Sequence, residues 1–136
     1  MDKTEVSQIK TSGIILGITF LFIPIVALIY SLATFKKNEK ILIAQWGKVS
    51  AENKEKLRTM SSALLATWHA AFAQLGLSLM MAVFLGYMYG FDALNKTASV
   101  NTFMFFFIVA AVIVQVWAGV NGFILSRNTY SQEAAK

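Results

Sequence analysis

At 136 residues the chain is 57% hydrophobic, carries a formal charge of +5 and contains no cysteine. That length fits one domain, the mean hydropathy of +0.59 lies well above the soluble average, and zero cysteines exclude disulfides, thiolate metal sites and iron–sulfur ligation. The positive charge is not a nucleic-acid footprint, because the basic residues gather beside apolar blocks, where they set membrane topology.

Residues 1–10, MDKTEVSQIK, are mixed in charge and read as a short surface lead. Residues 11–35 are the first apolar block, expected as one retained membrane-spanning helix with Pro24 bending it near its middle. Residues 36–58 form a polar connection rich in lysine. Within it Lys36, Lys37, Lys40, Lys48 and Trp46 are candidates for contact with lipid headgroups or a partner. Ser50 is placed to cap a helix and Glu52 lies one turn before Lys56, so a helix is expected to start near Ala51 in water. It would continue for about forty residues into the bilayer as one rod.

Residues 59–91 contain no Asp, Glu, Lys or Arg and are expected as the second span, with Phe84, Tyr87, Tyr89 and Phe91 forming an aromatic belt at the interface. The following link holds Asn95-Lys96-Thr97, which matches the N-glycosylation pattern but lies too close to two membrane ends for use. Residues 98–126 make the third span, and the tail is short and polar. The expected fold class is therefore all-α: an integral membrane protein with three transmembrane helices, the second extended into the cytoplasm. Counting basic residues on each side puts the 36–58 connection in the cytoplasm, the N-terminus outside and the C-terminus inside, in the inner membrane of a prokaryote.

Helical spacing then assigns faces. Gly13 and Gly17 share a face of the first helix, as do Ala63, Ala66, Ala70 and Ala73 on the second, and Ala118, Gly122 and the nearby Gly119 on the third. Small residues let membrane helices approach closely, so these are candidate helix-packing surfaces, within the chain or toward another. Gln74 and Gln115 fall inside spans and need hydrogen-bond partners there; a contact between them would join the second helix to the third. His69 is the one candidate for a haem, metal or quinone contact, but a lone histidine supplies no ligand set, and the satisfied headgroup-level side chain is the simpler reading. No Walker loop, G-x-S-x-G, H-E-x-x-H or intramembrane acid pair is present.

These features favour a non-catalytic accessory subunit that packs against, and helps assemble, larger membrane partners. No cofactor, metal or nucleic acid is expected; lipids and other integral membrane subunits are. A homo-oligomeric pore (holin-like or a small channel) and a redox or proton-handling subunit using His69 with a partner chain are the alternatives. A pore needs a wet polar lining, and a proton path needs titratable groups in the spans.

Overall fold

In the computed structural model, which describes the backbone of residues 2–90 and 97–130 and the side chains of 2–87 and 102–130, the first helix starts inside the segment expected to be a surface lead. Asp2 Oδ1 accepts the Glu5 N–H at 2.8 Å, and Glu5 Oε2 accepts the Asp2 N–H at 3.2 Å. This capping box satisfies two donors that a helix start leaves free, and α1 runs from Lys3–Phe22.

The single span expected over 11–35 is instead two helices. α1 ends at Phe22 and α2 (Pro24–Gln45) begins one residue beyond Ile23, which has φ −136° and ψ 73°. Proline has no N–H to continue the helical ladder, and its ring pushes the preceding residue out of the helical region. The expected bend becomes a complete reversal because the two arms hold each other. Tyr30 Oη donates to Ser12 Oγ at 3.3 Å, Gln8 Nε2 donates to Asn38 Oδ1 at 3.3 Å, and Ser12 Oγ lies 3.5 Å from the same oxygen. The arms are therefore antiparallel, and Gln8 of the expected lead joins Ser12, Tyr30 and Asn38 in the clasp of a helical hairpin.

From Ser12 to the turn each arm offers about a dozen residues, or roughly 18 Å, short of the ~30 Å hydrocarbon slab. Among the described residues two helices remain that are long and apolar enough to cross a membrane: α3 (Ala51–Gly90), over Ala51–Tyr87, and α4 (Thr97–Arg127), over Thr102–Arg127. α3 begins at Ala51 and is 40 residues long, as the capping and charge pattern predict.

α1 packs most extensively against α4, and glycine is the reason. A Cβ at Gly122 would sit 2.5 Å from the Gly17 nitrogen, and one at Gly13 would sit 2.6 Å from the Ser126 nitrogen. One at Gly119 would meet the Leu21 side chain at 2.6 Å, and one at Gly17 the Phe123 ring at 2.8 Å. The Gly13/Gly17 and Gly119/Gly122 notches thus close on each other inside the chain.

On α3 the buried line is Asn53, Leu57, Met60, Leu64, Thr67, Ala71 and Gln74, an alternating four-and-three spacing, with Ala63 and Ala70 flanking it. The expected alanine seam lies one position off this line. Ala63 and Ala70 are buried, Ala66 is half-buried, and Ala73 is exposed. The lower part of α3 meets α2 through Trp68, whose ring stacks on Phe35 with centroids 4.3 Å apart.

Because the hairpin reverses at Pro24, the start of α1, the α2–α3 link and the end of α4 all lie at one end of the bundle, here called the basal end. Every described Lys and Arg lies toward that end. The expectation of N- and C-termini on opposite sides required one continuous helix over 11–35, and the reversal removes it. Tyr130 closes the basal end: it is 7% exposed, and burial first, then the charge of Glu5, hold its hydroxyl above the ordinary tyrosine range. Tyr89, Phe91, the 95–97 sequon and the tail beyond 130 lie outside the described side chains.

Candidate functional site at the hairpin tip

A hairpin that turns among apolar side chains leaves backbone groups with no helical partner. At the tip, the Ile23 N–H donates to the Thr19 carbonyl at 2.7 Å, and the Ala27 N–H donates to the Ile23 carbonyl at 3.1 Å. The Leu21 carbonyl is taken by a side chain: Gln115 Nε2 of α4 donates to it at 2.6 Å. Gln115 therefore caps the broken end of α1, and the expected Gln74–Gln115 hydrogen bond is not formed: Gln115 turns to Leu21 instead. α2 has no side-chain cap at its start. Its Ile25 and Val26 N–H groups have no hydrogen-bond partner among the described residues.

Between this start of α2 and the facing sides of α3 and α4 lies a cleft of about 230 Å³. Pro24 and Ile25 form its hairpin side, and Leu77, Met81 and Phe107 are among its apolar walls. Gln74, Ser78 and Gln115 bring the polar groups. Gln74 is 8% exposed and makes no hydrogen bond among the described residues. The two amides thus share one cavity without pairing: one locks the hairpin, and the other faces the space. Replacing Gln115 by Leu should leave the Leu21 carbonyl unpaired at the tip. We expect a loss of about 1–3 kcal/mol, the range for an abandoned buried acceptor, read as a lower detergent-unfolding midpoint than Gln74→Leu gives.

The other predicted positions separate from this cleft. His69 is exposed on the flank of α3, between exposed Leu65 and Phe72, and no group of three His, Cys, Asp or Glu that could hold a metal lies together among the described residues. Lys36, Lys37, Lys40 and Lys48 are exposed toward the basal end. Trp46, 41% exposed, lines a groove with Ile43, Ser61 and Leu65 where α2 meets α3. Around the waist the surface is apolar on every helix: Ile18 and Phe22 on α1, Ile25 and Ile29 on α2, Leu79 and Val83 on α3, and Ile113 and Val116 on α4 are all exposed.

Sequence reasoning singled out Gln74 and Gln115 but missed the clasp of Gln8, Ser12, Tyr30 and Asn38. A signal was available: Asp2-x-x-Glu5 marks a helix start, and helical spacing puts Gln8 and Ser12 on one face of that helix. Comparison with protein-family models, curated proteins and solved structures gives no match, so the functional reading rests on the geometry of the molecule itself.

Proposed function

We propose that the chain is a non-catalytic subunit of a membrane protein assembly, held in the bilayer by α3 and α4, with the α1–α2 hairpin entering from the basic side and turning within the slab. The charged basal end then faces the cytoplasm, as the distribution of Lys and Arg favours, and both the N-terminal end of α1 and the end of α4 lie there. A turn at membrane depth is tolerated where its backbone is buried in protein or lines a cavity; the Gln115–Leu21 hydrogen bond satisfies the freed carbonyl, and the start of α2 lines the cleft.

The observation that carries the subunit reading is the step above the tip. The hairpin covers only the lower part of the α3–α4 pair. On the same faces as Gln74 and Gln115, helical spacing continues through Met81 and Leu85 on α3 and Ile108 and Met104 on α4, with no α1 or α2 residue left to cover them. Apolar helices from another subunit would complete a four-helix cross-section there. The glycine notches do not serve that purpose, since they are occupied within the chain.

Two measurements test this. In the first, cysteines placed at Ser7, Ser50 and Asn95 of the cysteine-free chain are probed in intact cells with an impermeant thiol reagent. Asn95→Cys should label, and Ser7→Cys and Ser50→Cys should not; opposite behaviour of Ser7 and Ser50 would refute the re-entrant hairpin. In the second, tagged protein is purified from its native membrane in mild detergent. Stoichiometric membrane partners that cross-link to Leu85→Cys are the expected result. A homogeneous homo-oligomer that conducts ions in liposomes would replace the subunit reading with a pore.

A further inference from the structure

We infer that the cleft at the hairpin tip is a binding site for a neutral, lipid-soluble molecule whose head carries a hydrogen-bond-accepting carbonyl oxygen. The inference rests on the membrane reading above and on two independent features of the cleft. The first is Gln74, more than nine-tenths buried, lining the cavity, and without a hydrogen-bond partner among the described residues. An amide with no protein partner, opening into an apolar cleft at membrane depth, is costly, and a bound acceptor relieves the cost of its N–H groups. The second is the start of α2. Pro24 and Ile25 line the same cleft, α2 has no side-chain cap, and the Ile25 and Val26 N–H groups have no partner. The first N–H groups of a helix point out of its N-terminal end and carry its positive dipole. Ser78 adds a hydroxyl on the α3 wall. With the Gln115 amide nitrogen engaged by the Leu21 carbonyl, the donors left for a ligand are the Gln74 amide, the Ser78 hydroxyl and the start of α2.

The remaining lining selects against charged or strongly hydrated ligands. Leu28, Leu77, Met81 and Phe107 surround the donors, and none of the residues lining the cleft is Asp, Glu, Lys, Arg or His. A full negative charge would find no counter-charge, whereas a carbonyl needs only the donors present. At about 230 Å³ the space takes a small ring or short head, not a whole lipid; pockets for drug-sized ligands start near ~300 Å³. Ester carbonyls of ordinary lipids lie near the headgroups, roughly 15 Å from the middle of a ~30 Å slab. A head on a hydrocarbon tail that diffuses through the bilayer interior reaches the tip directly, and we assign the site to that source.

The test uses the full chain in phosphatidylcholine nanodiscs and a radiolabelled decyl-tailed 1,4-benzoquinone as probe. Wild type should show one saturable site, and unlabelled decylbenzene, which has the tail but no carbonyl, should compete at least tenfold less well. Gln74→Leu should weaken binding at least tenfold. Ala111→Leu, which fills the cleft but keeps every polar group, should abolish it. Circular dichroism and elution volume establish that both variants are folded, and Leu79→Ala, outside the cleft, should bind as wild type. Absence of saturable binding to folded wild type, or unchanged affinity in both cleft variants, would overturn the inference. Competition by methyl decanoate as effective as by the unlabelled quinone would also overturn it, moving the site to lipid ester carbonyls. Failure of the cysteine-labelling pattern removes the re-entrant hairpin that puts the cleft at membrane depth; failure of probe binding with that pattern intact removes only the site.

Discussion

Gly122→Leu should separate α1 from α4 and lower stability by about 3 kcal/mol or more, the upper end of the range for over-packing a closed contact. The side chain would grow from a point 2.5 Å from the Gly17 nitrogen and 2.9 Å from the Gly13 oxygen, and backbone atoms cannot rotate aside as a flexible side chain can. The whole of α1 has to move. Unfolding in mixed micelles with rising dodecyl sulfate, followed by tryptophan fluorescence, measures the loss. Gly76→Ala and Gly86→Ala are the controls. Neither position has an atom within 4 Å of the added Cβ, so relief of glycine's entropy cost inside a helix should raise stability by about 0.5–1 kcal/mol each. If all three substitutions shifted the midpoint alike, the α1–α4 contact would not be the closure described here.

Pro24→Leu should move part of the population from hairpin to a single through-going helix. With an N–H restored at residue 24, the Phe20 carbonyl regains its helical donor and Ile23 loses its bias against helical geometry. That change favours a continuous helix over residues 11–35 by roughly 3 kcal/mol, a shift of about a hundredfold or more in an equilibrium. The α1–α4 glycine contact, the Asn38 clasp and the Gln115 cap oppose it, so the two forms compete. The readout is the side on which Ser7→Cys becomes labelled. In the wild type it should share a side with Ser50→Cys, and in the Pro24→Leu background a measurable fraction should label from the other. A second replacement, Gly122→Leu, removes one of the opposing contacts and should enlarge that fraction. Unchanged labelling in both backgrounds would show that the hairpin does not depend on the proline.

Four features are legible from local sequence: the helical class, the long apolar stretches of α3 and α4, the start of α3 at Ala51, and the segregation of charge away from the middle of those stretches. Each of these follows from properties that residues carry locally: hydropathy over a window, charge, and the capping chemistry of a helix end. The rest depends on contacts between segments far apart in the chain. Pro24 forbids one hydrogen bond, and a missing bond is as compatible with a bend as with a reversal. Which of them forms depends on what the freed arm then touches: Asn38 for Ser12 and Gln8, Gly122 for Gly17, and Gln115 for Leu21, the last pair 94 positions apart. The buried line of α3 was hidden for the same reason. Its alanine seam and the true line through Leu64, Thr67 and Ala71 differ by one residue, or about 100° of rotation. Both lines keep a helical period, and only the position of the neighbouring helices selects between them.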